Sequence, residues 1–300
     1  GKSVKQNLPN STVHTYQVTI DADQYLRFAI NLGNTSLSIK TYAPSDQKLS
    51  EFVLIQAKQR EFSLLSESAG VYRIEVCSLE KEPSTGWYDL SIRELRPVTT
   101  QDATRLAAEK LFAEGESLAA QEGLSQRNQA SDKYQLALNL WESIGDEYEQ
   151  VATLRTMGET HFRLGTPNEA TRLFESALQL SEKYNNPISK AETLNSFANV
   201  LVFQGKIQQA FDYSNQALEI SHQLGNKHLE ADALYNLGNV YYFRGDKRKS
   251  LETHYIVLSM WRLLGDRQAQ ARTLERIGLS HSDLSEIQQA DQRFQESLSL

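Results

Sequence analysis

A repeat with a step of 40 residues runs through the C-terminal two-thirds of the sequence. Large and small residues recur at this step: Leu154, Leu194, Leu234 and Leu274; Gly165, Gly205 and Gly245; Ala170, Ala210 and Ala290. Helix-breaking residues fall twice per step, so each unit contains two helices, and an Asp or Asn after a break can cap the next helix. One helical hairpin cannot bury its apolar face alone. The pattern therefore predicts an α-solenoid of stacked helix-turn-helix units.

The first 96 residues have a period of two instead. Seven short runs rich in β-branched and aromatic residues, such as HTYQVTI (14–20) and GVYRIEVCSL (70–79), have no helical segment between them. This spacing predicts an antiparallel β-sandwich. Turns are expected at Asp21–Asp23, Gly33–Asn34, Pro44–Asp46 and Pro83–Gly86.

The predicted fold class is therefore multidomain β + α, with a sandwich followed by a helical solenoid. The expected boundaries are 1–96 for the sandwich, 97–102 for a linker and 103–300 for the repeats, with units at about 103–145, 146–185, 186–225, 226–265 and 266–300. The last unit stops short of the breaker that the repeat step requires, so we expect the native chain to continue past Leu300.

The helical region resembles tetratricopeptide repeats, in the 40-residue variety of kinesin light chain. The unit that matches best follows the family's spacing with Leu234, Leu237, Gly238, Tyr241, Gly245, Leu251, Tyr255 and Leu258. An earlier unit repeats that spacing with Leu154, Met157, Gly158, Gly165, Ala170, Phe174 and Ala177. Three positions depart from the family pattern, since His161 and His281 replace an aromatic residue and Ser285 replaces the glycine between the helices.

A second resemblance concerns the whole chain. A sandwich like the bacterial pre-peptidase C-terminal domain, followed by such repeats, is similar to the N-terminal part of bacterial CHAT-domain proteins. GVYRIEV and GWYDLSIREL carry the sandwich half of this likeness. The resemblance implies an accessory region, because the His-Cys pair of the caspase-like domain is not in this sequence.

Composition narrows the function classes. A net charge of -7 and a pI of about 5.5 argue against nucleic acid as a partner, and no run of 18 apolar residues predicts a membrane span. The single cysteine, Cys77, lies in a strand-like run and is read as a small buried thiol. His161, His254 and His281 occupy packing positions, so no metal, cofactor or catalytic residue is predicted.

In tetratricopeptide arrays the first helix of each unit lines the concave face. The resemblance therefore implies a partner-binding groove formed by Arg155, Glu159, Phe162, Asn195, Asn199, Val202, Tyr235, Asn239 and Tyr242, and continued by Glu275 and Leu279. Asn199 and Asn239 can each donate and accept hydrogen bonds to the backbone of an extended peptide. The alternative is that these asparagines pair locally and the tyrosines fill the groove. For Arg155, an ion pair with Glu159 one turn away is expected.

The function predicted from these patterns is a non-catalytic scaffold that binds a peptide or protein segment in the groove. One alternative is the regulatory half of a caspase-like CHAT peptidase whose catalytic domain follows residue 300. Another is a carbohydrate- or calcium-binding sandwich, with Asp21, Asp23 and Asp46 as calcium candidates, mounted on a repeat spacer.

Overall fold

The structure is a computed structural model that describes residues 3–7, 12–33, 36–54, 59–79 and 86–300. The turns predicted at Asn34 and at residues 83–85, and the end of the strand predicted at 51–56, lie outside the described residues.

The N-terminal region is an antiparallel β-sandwich, as predicted. Its described strands are β1 (Ser3–Asn7), β2 (Val13–Ile20), β3 (Gln24–Gly33), β4 (Leu37–Tyr42), β5 (Lys48–Leu54), β6 (Gln59–Leu65), β7 (Gly70–Ser78) and β8 (Trp87–Pro97). They form two sheets with the orders β1-β8-β3-β6 and β2-β7-β4-β5. The strand missed from the sequence, β1, is almost wholly polar and exposed, so it lacks the apolar alternation that marks the other strands.

The sandwich core explains the period of two. Along β7 every second side chain, from Tyr72 through Ile74 to Val76, is buried between the sheets. Leu26, Phe28 and other residues of β3 meet them from the opposite sheet.

Ten helices follow the sandwich. They are α1 (Thr100–Ala119), α2 (Leu124–Ile144), α3 (Glu147–Arg163), α4 (Pro167–Lys183), α5 (Pro187–Phe203), α6 (Ile207–Leu224), α7 (Lys227–Phe243), α8 (Lys247–Leu264), α9 (Arg267–Asp283) and α10 (Ile287–Leu298). Asn186, Asn226 and Asp266 accept hydrogen bonds from backbone amides in the first turns of α5, α7 and α9, as expected of capping residues. The helices pair into antiparallel hairpins with the tetratricopeptide-repeat fold.

The chain divides into two compact units, residues 1–145 and 146–300. The change from strand to helix falls between Pro97 and Thr100, inside the predicted linker, yet α1 and α2 belong to the first unit. Helix α1 packs on β6, where the Glu109 carboxylate accepts hydrogen bonds from the Ser63 amide (2.9 Å) and hydroxyl (2.6 Å).

An ion pair between a partly exposed arginine and a buried aspartate joins β8 to α1. The Arg96 guanidinium donates two hydrogen bonds, of 2.7 and 2.9 Å, to the Asp102 carboxylate, which also accepts from the backbone amide of Thr99. These bonds hold the pKa of Asp102 down at about 2. The segment expected to be a linker is therefore a fixed joint within the first unit.

In the second unit, a small residue of one helix faces a large ring of the next. A Cβ on Gly158 would lie 3.0 Å from the Phe174 ring, and a Cβ on Gly278 would lie 2.5 Å from the Phe294 ring. A Cβ on Gly278 would overlap the ring, and a Cβ on Gly158 would require the Phe174 ring to shift, because the two helices approach closely. The predicted pairing of small and large side chains thus holds the hairpins together.

The first helices of successive hairpins line one side of the second unit. Helix α3 packs on α5, α5 on α7, and α7 on α9, whereas the second helices α4, α6, α8 and α10 contact one another little. The side on which successive helices touch is the inner side of a curved stack. This side carries the candidate site.

Candidate functional site

The inner face is the row of partly or fully exposed side chains on α3, α5, α7 and α9. We define it by Arg155, Glu159, Phe162, Glu192, Ser196, Asn199, Phe203, Tyr235, Tyr242, Phe243, Arg272, Glu275, Arg276 and Leu279. Contacts between neighbouring helices join members of this row. The Ser196 hydroxyl, for example, donates to the Glu159 carboxylate at 2.7 Å.

The structure places six of the nine predicted groove residues on this face: Arg155, Glu159, Phe162, Asn199, Tyr235 and Tyr242. The placement of the other three was wrong, because Asn195 (7% exposed), Val202 (4%) and Asn239 (2%) are buried. Val202 packs in the apolar core between hairpins. Residues at steps of four and three span a wide arc of a helix, and part of that arc faces the neighbouring helix.

Side-chain hydrogen bonds of two buried asparagines join α5 to α7. The Asn195 side-chain amide donates to the Leu229 carbonyl (3.3 Å), and the Asn236 amide donates to the Asn195 carbonyl (2.9 Å). Asn195 is therefore paired within the protein, whereas the alternative interpretation expected local pairing of Asn199 and Asn239. The side-chain oxygen of Asn239 is also buried but has no hydrogen-bond partner, although buried polar atoms are normally paired.

At one end of the inner face, arginine charge is neutralised within the protein. Arg155 lies 3.6 Å from the carboxylate of Glu159, one turn on, and 3.4 Å from that of Glu192 on α5. The expected pair with Glu159 is thus joined by a second carboxylate from the next repeat.

At the other end, two arginines converge on a tyrosine with no such neutralisation. We call Tyr235, Arg272 and Arg276 the arginine corner. Arg276 Nε donates to the Tyr235 hydroxyl at 3.4 Å, and the Arg272 guanidinium lies 5.8 Å from the centre of the Tyr235 ring. Neither arginine has a carboxylate within ion-pair distance among the described residues, although Glu275 lies exposed on the same helix.

Exposed aromatic side chains lie at the C-terminal ends of α5 and α7, the first helices of two successive hairpins. Phe203 is 54% exposed and its ring centre lies 5.6 Å from that of Phe162. Phe243, at the equivalent position of the next repeat, is 46% exposed and lies 5.3 Å from Tyr242. Two successive repeats thus expose a phenylalanine at the same position, each in contact with a second aromatic ring.

Sequence reasoning missed six members of the inner face: Glu192, Ser196, Phe203, Phe243, Arg272 and Arg276. A signal for the phenylalanines was available. Phe203 and Phe243 are one repeat step apart, and Phe203 lies four residues after Asn199, a spacing that stays on the same helix face. The arginines belong to a single repeat, so periodicity could not mark them.

The cysteine and histidine candidates from the sequence do not form a reactive or metal-binding site among the described residues. Cys77 is partly buried, and burial raises the pKa of its thiol, which favours the unreactive form. His254 is fully buried against Gly238. Among the described residues no group of three His, Cys, Asp or Glu side chains is arranged to hold a metal ion, and no helix there is long and apolar enough to span a bilayer.

Comparisons with known proteins agree with this geometry. Two family models, both described as tetratricopeptide repeat, match residues 151–188 and 189–255. These matches run from α3 into α8 and include most of the inner face. No curated protein matches the sequence closely enough to count as a relative.

Several solved structures are similar in fold. A Rap protein in complex with Competence and Sporulation Factor has a TM-score of 0.56 at 19% identity, covering 65% of this chain and 54% of that one. Aspartyl phosphate phosphatase F from Bacillus subtilis has a TM-score of 0.55 at 14% identity, covering 67% and 52%. The TPR-like repeats of a proposed kinesin light chain from Podosopora anserina have a TM-score of 0.50 at 12% identity, covering 67% and 96%. The match spans just over half the length of the first two proteins.

Proposed function

We propose that this protein is an interaction scaffold whose inner face binds an extended peptide segment of a partner, and that the arginine corner takes a carboxylate of that segment. The observation that carries the proposal is the pair of arginines on α9 that face the groove without a carboxylate of their own. The sandwich, fixed to α1, would act as a leading module of the scaffold.

The arginine corner suits a carboxylate because guanidinium groups form paired, charge-assisted hydrogen bonds with its two oxygens. Arg272 and Arg276 are one turn apart on α9 and therefore project from the same side of the helix. Tyr235 adds a hydroxyl from α7. The contrast with Arg155 is informative, since that arginine already has two carboxylates from its own chain.

The rest of the inner face suits the backbone and apolar side chains of the same segment. The Asn199 amide is partly exposed and can bond a peptide group of any sequence. Phe203 and Phe243 offer exposed rings at the edge of the groove, and aromatic residues of this kind often carry much of the binding energy at interfaces. The Rap protein of similar fold is itself in complex with Competence and Sporulation Factor.

The test is a peptide array probed with the whole chain. Each acidic peptide would be paired with a copy in which Asp, Glu and the C-terminal carboxylate are converted to amides. We expect binding by the acidic member of a pair and a loss of about 100-fold or more with Arg272→Ala plus Arg276→Ala, since each charge-assisted bond contributes roughly 1.5–3 kcal/mol and the variant removes two.

The matched control is Arg172→Ala, because Arg172 is an exposed arginine on α4 that pairs with Glu169. We expect it to leave binding unchanged. Equal binding by acidic and amidated peptides, or equal binding by the arginine-corner variant, would overturn the carboxylate subsite. Failure of every peptide to bind would overturn the groove itself.

No observation favours the sensor or the calcium-binding alternative over this proposal. Asp46 of the calcium candidates is already paired with Arg73, at 2.5 Å. The scaffold is therefore the function that the geometry supports best.

A further inference from the structure

A carboxylate, an imidazole and a phenol lie in line where α8 meets the turn between α9 and α10. Glu286 Oε2 lies 2.6 Å from His281 Nδ1, and His281 Nε2 lies 2.9 Å from the Tyr255 hydroxyl. His281 is buried, whereas Tyr255 is 39% exposed on the side of α8 away from the inner face. The phenol is thus accessible while the groups behind it are held in place.

Backbone bonds fix this arrangement. The amides of Leu284 and Glu286 both donate to the His281 carbonyl, which sets the turn and brings the Glu286 side chain back over the ring. Ser285 adopts the left-handed backbone conformation, with φ of 63°, that closes the turn.

The other repeats use the same positions differently. Three repeat steps earlier, the group that His161 Nδ1 meets is the Thr166 hydroxyl, at 3.0 Å. The positions equivalent to Tyr255 in the second helices of the unit hold Glu175, Asn215 and Gln295. A histidine between a carboxylate and a phenol therefore occurs at one hairpin and is not a requirement of the fold.

The hydrogen bonds assign a role to each group. A carboxylate only accepts, so His281 Nδ1 carries a proton and donates a hydrogen bond to Glu286. In the neutral imidazole, Nε2 is then the acceptor for the Tyr255 hydroxyl proton. A nucleophile hydrogen-bonded to a base that is oriented by a third group is the arrangement that activates hydroxyl nucleophiles in acyl transfer.

We propose that Tyr255 is an acyl-acceptor site, at which the phenol takes an acyl group from an activated, uncharged ester. The Tyr255 oxygen forms a bond to the acyl carbon while its proton passes to His281 Nε2. The ester carbon–oxygen bond then breaks, and the leaving alcohol departs with the electron pair and takes up the proton. Glu286 is a positioning residue that acts through His281.

The surroundings favour an uncharged donor. Glu252 lies one turn before Tyr255 on α8, and Glu286 lies behind His281, so each of the two elements that meet here carries a carboxylate. A phosphate donor would be repelled by these groups. Ile256, exposed beside Tyr255, offers apolar contact to an acyl chain.

The experiment uses p-nitrophenyl acetate as the probe, with release of p-nitrophenolate followed over time and acetylated residues located by mass spectrometry. We expect acetylation at Tyr255 to exceed that at Tyr148, which is more exposed, and we expect it to be slower in D2O than in H2O. Tyr255→Phe should abolish the label at that position. His281→Gln should slow acetylation of Tyr255 by about 100-fold.

Because His281 is buried, its replacement can unfold the hairpin, so Glu286→Gln is the second variant. It should slow acetylation about tenfold and diminish the D2O effect, which a purely structural role would not do. Glu252→Gln is the matched control for loss of a nearby charge and should leave the rate unchanged. Equal labelling of Tyr255 and Tyr148, or an unchanged rate in Glu286→Gln, would overturn the proposal.

Discussion

The two compact units of this protein are held together in different ways. In residues 146–300 a glycine facing a large ring recurs, as with Gly158 and Phe174, and the α1–α2 hairpin of the first unit has the same contact between Gly115 and Tyr134. What residues 1–145 have in addition is a sheet joined to a helix by bonds that occur once, such as the Arg96–Asp102 pair between β8 and α1. The difference shows that contacts repeated in every hairpin can be predicted from the periodicity of the sequence, whereas a contact that joins a sheet to a helix once cannot.

The largest effect on stability should come from removing an aromatic ring that faces a glycine of the paired helix. Phe174 is fully buried, and its ring stacks on Phe197 with centres 5.0 Å apart. We expect Phe174→Ala to lower the free energy of unfolding of residues 146–300 by about 3–5 kcal/mol. Hydrogen exchange in rising denaturant would measure it along the chain. Equal loss of protection in residues 1–145 would break the comparison between the units.

The stability of the second unit should depend on pH, because His254 faces Gly238 where Phe174 faces Gly158 in an earlier hairpin. Burial lowers the pKa of His254 from 6.5 to about 4, so the folded state keeps it neutral. In the unfolded chain His254 takes up a proton more readily, so acid favours unfolding. The free energy of unfolding is therefore unaffected by this group above pH 6.5 and decreases by up to about 3 kcal/mol as the pH falls through about 4.

The variant His254→Phe sharpens this prediction, because phenylalanine occupies the equivalent positions 174 and 294. We expect denaturant melts of residues 146–300 at pH 7 and pH 4 to differ less in the variant than in the parent protein. An identical pH dependence would assign the acid sensitivity to other groups.

The ion pair between the sandwich and α1 should affect stability at lower pH than His254 does. The pKa of Asp102 is depressed to about 2, chiefly by the Arg96 hydrogen bonds, so its contribution is present above pH 3.8 and lost as the pH falls through about 2. We expect Asp102→Asn to lower the free energy of unfolding of residues 1–145 by about 1–2 kcal/mol at pH 7. The control Asp46→Asn, at an exposed ion pair, should cost under about 1 kcal/mol. A similar loss in both variants would contradict the special role of the joint.

The smallest effect concerns a turn. Ser285 takes the left-handed conformation that Gly165, Gly205 and Gly245 supply in the other hairpins. This conformation strains a residue with a Cβ, so Ser285→Gly should raise the stability of residues 146–300 by about 0.5–1 kcal/mol. Gly165→Ser should lower it by a similar amount. A drop in thermal stability for Ser285→Gly would contradict this explanation of the turn.

Particular residues show how far the sequence could lead. The repeat step predicted the hairpins, their caps and their small-to-large contacts, and strand alternation predicted the sandwich. Strand β1 was missed because its residues are polar, and the Arg96–Asp102 joint was missed because it lies in a stretch that looks like a linker.

The candidate site was predicted only in part for a related reason. A spacing of four and three fixes a helix face only within a broad arc, which is why buried Val202 and Asn239 were placed in the groove. Arg272 and Arg276 could be recognised only once Tyr235 of the preceding repeat was seen beside them.

The most direct test of the groove is to locate the bound peptide by photo-cross-linking. A benzoylphenylalanine would replace Asn199 on the inner face or, as control, Asn215, which is exposed on α6. With an acidic peptide from the array, we predict cross-links from position 199 and none from position 215. Cross-linking from position 215 alone, or equally from both positions, would contradict binding on the inner face.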